Sequence, residues 1–469
     1  MLQIRDVIHG TISVQPHELP IIDSHYFQRL RQIKQVGFSE NSFPCATHHR
    51  FIHSLGAMEV ATQVFDSIFG SEIQKSNLSR FRYLLRLAAL LHDIGHGPLS
   101  HTTEFAMPSV DLLKLPNSVP LAGLQNPQNG GRSPDLRDSV PPVKQATHED
   151  YTLKMILDSG LTPILEAAGK NWGLRPLHIA SLIDPRIETS DRFFYEKVDW
   201  GGSPEWICFK PILAQIISSE LDADRMDYLQ RDSHHTGVSY GQFDSRWILS
   251  SLTYFCKKGC CYLALQHRAL YAFEDFLLSR YHMFLMVYFH HKSVIYDEML
   301  ASYFSSPDCT YHLPADIEDY CLYNDAHLMT HLSQSQNKWA QRITQRRPYR
   351  LLIELHSGIP ATKTTRAAQA QLLEEVKTDL SKNKMHYLAT QTTGELSKYF
   401  RKPGIPIFVR YDNHYNTPTF IPLEQCTDLF EKYEQKRSIT RLYISPENYS
   451  KLQPLQRKSP PNYEEADSL

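Results

Sequence analysis

The chain has 469 residues, enough for two or three domains or for one large domain with appendages. Its 49 basic and 51 acidic side chains nearly cancel, which removes the global cationic field of a nucleic-acid or membrane coat and leaves anion selectivity to local arginines and lysines. Eight cysteines without C-x-x-C pairing, no apolar signal core after Met1 and no uncharged apolar run of about eighteen residues point to a cytoplasmic protein with free thiols, without a membrane span.

After a short extended entry, apolar periodicity predicts helices over residues 23–36, 54–69 and 80–92. The third is apolar on nearly every side and therefore buried, and Gly95, Gly97 and Pro98 forbid its continuation. His92 and Asp93 thus stand where a core helix opens. Residues 108–147 are rich in proline and poor in aromatics, a weak core builder expected as a flexible insertion that is either a lid or a decoration. Helical patterning resumes at His148 and is expected over 177–183, 212–230, 247–254 and 269–300. Beyond Tyr349 the texture changes, with β-prone pieces at 349–355, 405–410 and 441–444 around a charged helix at 364–380. The chain reads as mainly α: an amino-terminal segment at 1–48, a large helical domain at 49–330, a smaller α+β region at 331–455 and a polar tail at 456–469.

The densest chemistry lies in Leu90-Leu91-His92-Asp93-Ile94-Gly95-His96-Gly97-Pro98-Leu99-Ser100-His101. Imidazole nitrogen and carboxylate oxygen together suit first-row divalent metals and phosphate-bridging ions. Taken alone, a His-Asp dipeptide is more often a hydrogen-bonded structural pair. Its company changes that: His48-His49-Arg50-Phe51-Ile52-His53 stands upstream, and Glu220-Leu221-Asp222-Ala223-Asp224-Arg225-Met226-Asp227-Tyr228 continues to Asp232 downstream. The order His, His-Asp, Asp resembles the HD phosphohydrolase superfamily, and within it the deoxynucleoside triphosphate triphosphohydrolases, over roughly the first three hundred residues.

The resemblance implies a large helical HD domain holding one divalent ion, manganese, iron, zinc or magnesium, on His53, His92, Asp93 and Asp224, with magnesium also accompanying the nucleotide triphosphate. Two carboxylates offset a dication and leave positions open for water or phosphate. Asp222 and Asp227 flank Asp224, and the residues alone do not choose among the three; the family pattern selects the middle one. By the same resemblance His96, His148 and Glu149 handle protons, with Glu104 beside them, and His101 meets the α-phosphate side. Singly, His96 and His101 read equally as caps of a broken helix and Glu149 as a first-turn acid. Arg50, one turn before His53, is placed to fork onto phosphate oxygens. The match puts Arg280 near triphosphate and base, Tyr228 and Asp232 at the sugar's 3′-hydroxyl, Tyr288 against the 2′ position, and Gln35 and Val36 along the sugar.

Asp23, Gln28 and Arg31 match a segment that binds a guanine nucleotide effector between subunits, which implies a homo-oligomer, dimer or tetramer. The lysine of a second effector pocket is displaced, because Tyr288-Phe289-His290-His291-Lys292 has an extra residue. The expected reaction is attack of water on the α-phosphorus of a dNTP, giving a deoxynucleoside and tripolyphosphate. One rival is a phosphodiesterase or nuclease acting on cyclic nucleotides or single strands, against which the balanced charge argues. The other is a non-catalytic nucleotide sensor, against which the complete residue set argues.

Overall fold

The computed structural model describes residues 2–71, 77–116, 119, 144–199, 204–357, 363–394, 405–432 and 437–452. Most of the expected insertion (117–118 and 120–143) and the polar tail lie outside the described residues.

The chain opens with an antiparallel hairpin of β1 (Leu2–Asp6) and β2 (Gly10–Val14). The continuous helix expected over 23–36 does not form. Single turns at Leu19–Ile22 and His25–Gln28 lead into a 3-10 turn at Arg29–Gln32, because Ser24 is extended and caps the second turn at the Phe27 N–H. Lys34 then bridges to His49, and the Gln35 N–H donates to the His48 carbonyl at 3.0 Å. This isolated bridge outweighs local helix propensity.

Two long buried helices follow, α1 (Arg50–Phe69) and α2 (Ser79–Leu91). Leu84, Leu85, Leu87, Leu90 and Leu91 of α2 are fully buried, each contributing about 1.5–3 kcal/mol of apolar burial. The arginines of α2 are all paired: Arg80 with Glu196, Arg82 with Asp66 and the buried Arg86 with Glu18. A 3-10 turn at Ser100–Ala106 follows. Next come α3 (His148–Leu157), opened by a reciprocal Thr147–Asp150 capping box, α4 (Leu161–Gly169) and α5 (Pro176–Ile183). Strands β3 (Tyr195–Val198) and β4 (Glu205–Cys208) precede α6 (Lys210–Ile217) and α7 (Ala223–Thr236). The helix expected over 212–230 is therefore broken. Ser218 turns extended, and the Asp222 carboxylate accepts from the Arg225 N–H at 2.8 Å, restarting the helix as an N-cap.

The helix expected over 247–254 is also corrected: α8 (Ser245–Ser251) runs straight into β5 (Leu252–Lys257), which pairs with β6 (Cys260–Gln266). The stretch 269–300 divides into α9 (Leu270–Met283), a π-helical turn at Phe284–Tyr288 and α10 (His291–Phe304). Helices α11 (Asp325–Gln334) and α12 (Lys338–Thr344) lead to β7 (Arg350–His356), α13 (Lys363–Lys382) and β8 (Tyr387–Gly394). Last come β9 (Phe408–Tyr411), β10 (Thr419–Pro422), β11 (Arg437–Ile444) and α14 (Pro446–Leu452).

The architecture is mainly α, as expected, with two larger sheets besides the β1–β2 hairpin. One has the order β10-β9-β6-β4-β3 with β5 on β6, and the other the order β7-β11-β8. Because β9 pairs in parallel with β6, the carboxy-terminal stretch builds part of the central sheet as well as its own. Among the described residues no helix is long and apolar enough to cross a membrane.

Candidate active site

Three helix ends meet at one buried point. The first turn of α1 supplies His53, the end of α2 supplies His92 and then Asp93, and the first turn of α7 supplies Asp224. His53 Nε2 lies 3.0 Å from Asp224 Oδ1 and 3.4 Å from Asp93 Oδ2; His92 Nε2 lies 3.5 Å and 3.4 Å from the same two oxygens. The opposite ring nitrogens are engaged. His53 Nδ1–H donates to Asp227 Oδ2 at 2.7 Å, and His92 Nδ1–H donates to the Ala89 carbonyl at 2.7 Å. Both Nε2 atoms are thereby left as bare acceptors, buried and without a hydrogen-bond partner, facing two carboxylates. Such a donor set fits a divalent ion. Burial alone would lower the His53 pKa, but Asp224, Asp227 and Asp93 raise it well above the usual value. Burial would raise Asp93, and Arg50, His92 and His96 hold it well below the carboxylate range. The cluster is organised around its charges.

Arg50, expected on phosphate, lies against the Asp93 carboxylate and donates from Nε to Ser100 Oγ at 2.7 Å. Its guanidinium therefore borders the ion site from the side of the next loop. That loop passes through Leu99 and Ser100 at φ 55° and 60°, a left-handed pair costing about 1–3 kcal/mol each. It is held by the Leu99 N–H donating to Asp325 at 2.7 Å and by Ser100 Oγ donating to the Lys34 carbonyl at 2.6 Å.

A second group adjoins the first. His96 stacks on His148 with centroids 3.8 Å apart and meets His101 edge-on at 4.7 Å, while its Nε2 is 3.4 Å from Asp93 Oδ1. Glu104 Oε1 accepts from His148 Nδ1, and from His101 Nδ1 at 2.9 Å. Glu149 Oε2 is 3.5 Å from His148 Nδ1 and half exposed. The structure thus brings together His96, His101, Glu104, His148 and Glu149. Burial would lower His148, yet Glu149 and Glu104 raise it.

On the other flank, Tyr288 Oη, placed by the π-helical turn, donates to Asp232 Oδ2 at 2.7 Å, and His48 Nε2–H donates to Asp232 Oδ1 at 2.7 Å. The Tyr228 ring stands 6.4 Å from that of Tyr288 and 6.5 Å from that of His53. Arg280 pairs with Glu220 at 3.1 Å and bears electrostatically on Tyr228. Gln35 keeps its Oε1 buried without a hydrogen-bond partner, and Val36 starts the turn at Gly37–Asn41. At the expected effector segment, Arg31 Nε donates to Gln28 Oε1 at 2.8 Å with its guanidinium 3.6 Å above the Phe51 ring, and Asp23 is exposed at the end of its turn. These three sit on the broken turns, not on the continuous helix expected over 23–36.

The residues that sequence reasoning missed are Asp227, Arg231, His9 and His48. Asp227 is read from sequence as a rival ligand, but it stands one turn after Asp224 and behind His53. The i, i+4 spacing of Asp227 and Arg231 on α7 is the available signal, matching their ion pair at 2.8 Å. Gly56 leaves room for that pair, since a Cβ there would overlap both side chains.

The family model for the HD domain matches residues 50–119, and that for the HD associated region matches residues 243–381. The chain is 32% identical over 353 residues to an uncharacterized protein of Methanocaldococcus jannaschii, covering 75% of this chain and 60% of that one. It is 30% identical over 321 residues to the deoxynucleoside triphosphate triphosphohydrolase SAMHD1 homolog of Dictyostelium discoideum, covering 67% of this chain and 51% of that one. To human SAMHD1, a deoxynucleoside triphosphate triphosphohydrolase, it is 32% identical over 247 residues, or 51% and 34% of the two chains. The chain thus spans less than two thirds of the length of these curated relatives. Among solved structures, a hypothetical protein from Aquifex aeolicus superposes with a TM-score of 0.67 at 24% identity, over 97% of this chain and 99% of that one. A phosphohydrolase from Bacteroides thetaiotaomicron gives 0.61 at 21% identity, over 95% and 99%. The fold, the matched HD segment and the histidine–aspartate cluster that it frames agree: the chain carries an HD domain followed by an HD associated region.

Proposed function

We propose that this protein is a metal-dependent deoxynucleoside triphosphate triphosphohydrolase. The observation that carries the reading is the convergence of two bare imidazole nitrogens and two carboxylates directly beside a separate, hydrogen-bonded histidine–glutamate group. A divalent ion on His53, His92, Asp93 and Asp224 supplies Lewis-acid polarisation of a phosphoryl oxygen and a more acidic bound water. Arg50 borders that position with a guanidinium suited to phosphate.

In the proposed reaction the oxygen of water forms a bond to the α-phosphorus, and the bond from that phosphorus to the sugar O5′ breaks. One proton leaves the water and one reaches O5′, so that a deoxynucleoside and tripolyphosphate result. Glu104, shared by His148 and His101, forms a short hydrogen-bonded proton relay that reaches solvent at His101 and Glu149, and His96 lies stacked on His148 beside Asp93. Asp232, fixed by His48 and Tyr288, supports recognition of a 3′-hydroxyl, and the bulk of Tyr288 disfavours a 2′-hydroxyl there. A hydrogen-bonding site of this kind separates sugars better than an apolar wall does. The same reading includes a homo-oligomer with a nucleotide effector near Asp23, Gln28 and Arg31.

Purified protein incubated with Mn²⁺ and each dNTP in turn should release nucleoside and tripolyphosphate in equal amounts, resolved by ion-exchange chromatography. Nucleoside monophosphate, cleavage of an oligonucleotide instead, or no product would refute the assignment. Light scattering with and without GTP addresses the assembly.

A further inference from the structure

We propose that the amino-terminal hairpin completes the ion site. His9 at its tip is a positioning residue that acts through Asp227 to set how His53 presents Nε2. This rests on reading His53, His92, Asp93 and Asp224 as the ion-binding set.

The tip is built to aim inward. Asp6 Oδ1 accepts the Ile8 and His9 backbone N–H groups, both at 2.9 Å, closing the turn between β1 and β2. The His9 side chain, 7% exposed, then donates from Nε2–H to Asp227 Oδ1 at 2.6 Å, across 218 positions of sequence. Asp227 is fully enclosed and both its oxygens are shared. Oδ1 takes His9 and Arg231 Nη2 at 2.8 Å; Oδ2 takes His53 Nδ1 at 2.7 Å and Arg231 Nε at 2.9 Å. Arg231 reaches back to Asp6 Oδ2 at 2.8 Å. The hairpin tip therefore grips the same carboxylate–guanidinium pair twice, directly through His9 and indirectly through Asp6.

A hairpin needed only for stability would be anchored by apolar contacts, and Ile12 and Val14 of β2 already provide them at 0% exposure. Buried ion pairs add little net stability over apolar packing, so the tip is better explained by orientation. The carboxylate behind a metal-binding histidine fixes its tautomer and ring angle. Without His9 the hairpin's direct grip on Asp227 is lost, Oδ1 keeps only its bond from Arg231 Nη2, and the carboxylate that aims His53 is fixed less firmly.

The test uses the full chain, stripped of metal and titrated with Mn²⁺ alone, with free Mn²⁺ read by electron paramagnetic resonance and folding by circular dichroism melts. His9→Ala and His9→Asn should weaken Mn²⁺ binding about 10–100-fold, the asparagine being too short to reach Asp227. His9→Gln, whose amide N–H reaches that oxygen, should recover most of the affinity. Thr11→Ala, exposed on the same hairpin, should bind as the unaltered protein does. Should His9→Ala fail to fold, the glutamine and asparagine variants carry the comparison. Equal affinity in all four variants, or a loss in Thr11→Ala equal to that in His9→Ala, overturns the positioning role while leaving the ion site standing. Failure of the unaltered protein to take up Mn²⁺ brings down the ion site and this proposal together.

Discussion

Two histidine clusters lie side by side, joined by the stretch from Asp93 to His96, and they are built in opposite ways. The first takes its members from three helix ends, keeps two imidazole nitrogens bare and faces them with carboxylates. The second takes its members from the loop after α2, a 3-10 turn and the start of a helix; Glu104 is shared by two of its histidines, and His101 is 61% exposed. Rigid ends with unfilled lone pairs suit an ion. His148 and His101, hydrogen-bonded to one carboxylate with His101 open to water, suit proton traffic. The lesson is that histidine count says little, whereas what each second ring nitrogen touches says which task the residue can perform.

The comparison breaks most sharply at the first cluster. His92→Ala or Asp224→Asn should abolish metal retention, measured by elemental analysis, and lower kcat/KM about a thousandfold or more; exhaustive chelation of the unaltered protein should do the same. His148→Asn should keep the ion but lower kcat about 10²–10⁴-fold, and loss of the metal in that variant would merge the two clusters into one. Tyr288→Phe removes the hydroxyl on Asp232 but keeps the ring, and should raise KM for a dNTP about 10-fold with the preference over NTP unchanged, a charge-assisted hydrogen bond being worth about 1.5–3 kcal/mol.

The smallest effect tests the scaffold of the second cluster. Asp297 on α10 accepts from Thr102 Oγ1 at 2.9 Å, next to His101, and burial pushes its pKa up to about 7. Between the ordinary aspartate value and about 7 the folded chain holds a proton that the unfolded chain has lost, so stability falls as pH rises through this window. Asp297→Asn should remove that slope, leaving Tm unchanged below the ordinary aspartate value and raising it by a few degrees at pH 8. An unchanged slope in calorimetric scans would place the titration elsewhere.

Much of the ion site was legible because its signals are local. The apolar helix stopped by Gly95, Gly97 and Pro98 marks His92 and Asp93 directly, and α2 ends where that reading puts it. Asp224 needed the family resemblance, since Asp222, Asp224 and Asp227 are indistinguishable by type. Only the break at Ser218 separates them, making Asp222 an N-cap, Asp224 a site residue and Asp227 the support for His53. The central sheet was illegible for a different reason. Its strands are short, the turn between β5 and β6 uses Lys258 at φ 51° with Gly259 at φ 72° in place of an Asn-Gly signal, and its outer partner arrives from residue 408 onward. His9 was illegible for the same reason: its partner lies more than two hundred positions away.

That late-arriving strand bears on biosynthesis. Leu265 in β6 leaves the ribosome well before Val409, its partner in β9. At about 5–20 residues per second the outer edge of β6 waits on the order of ten seconds for its cover, so the nascent chain carries that open edge, with β5 on the other side, through about a third of its own translation. Chains cut short before β9 would keep that edge bare and are expected to collect in inclusion bodies even though every residue of the HD segment is intact.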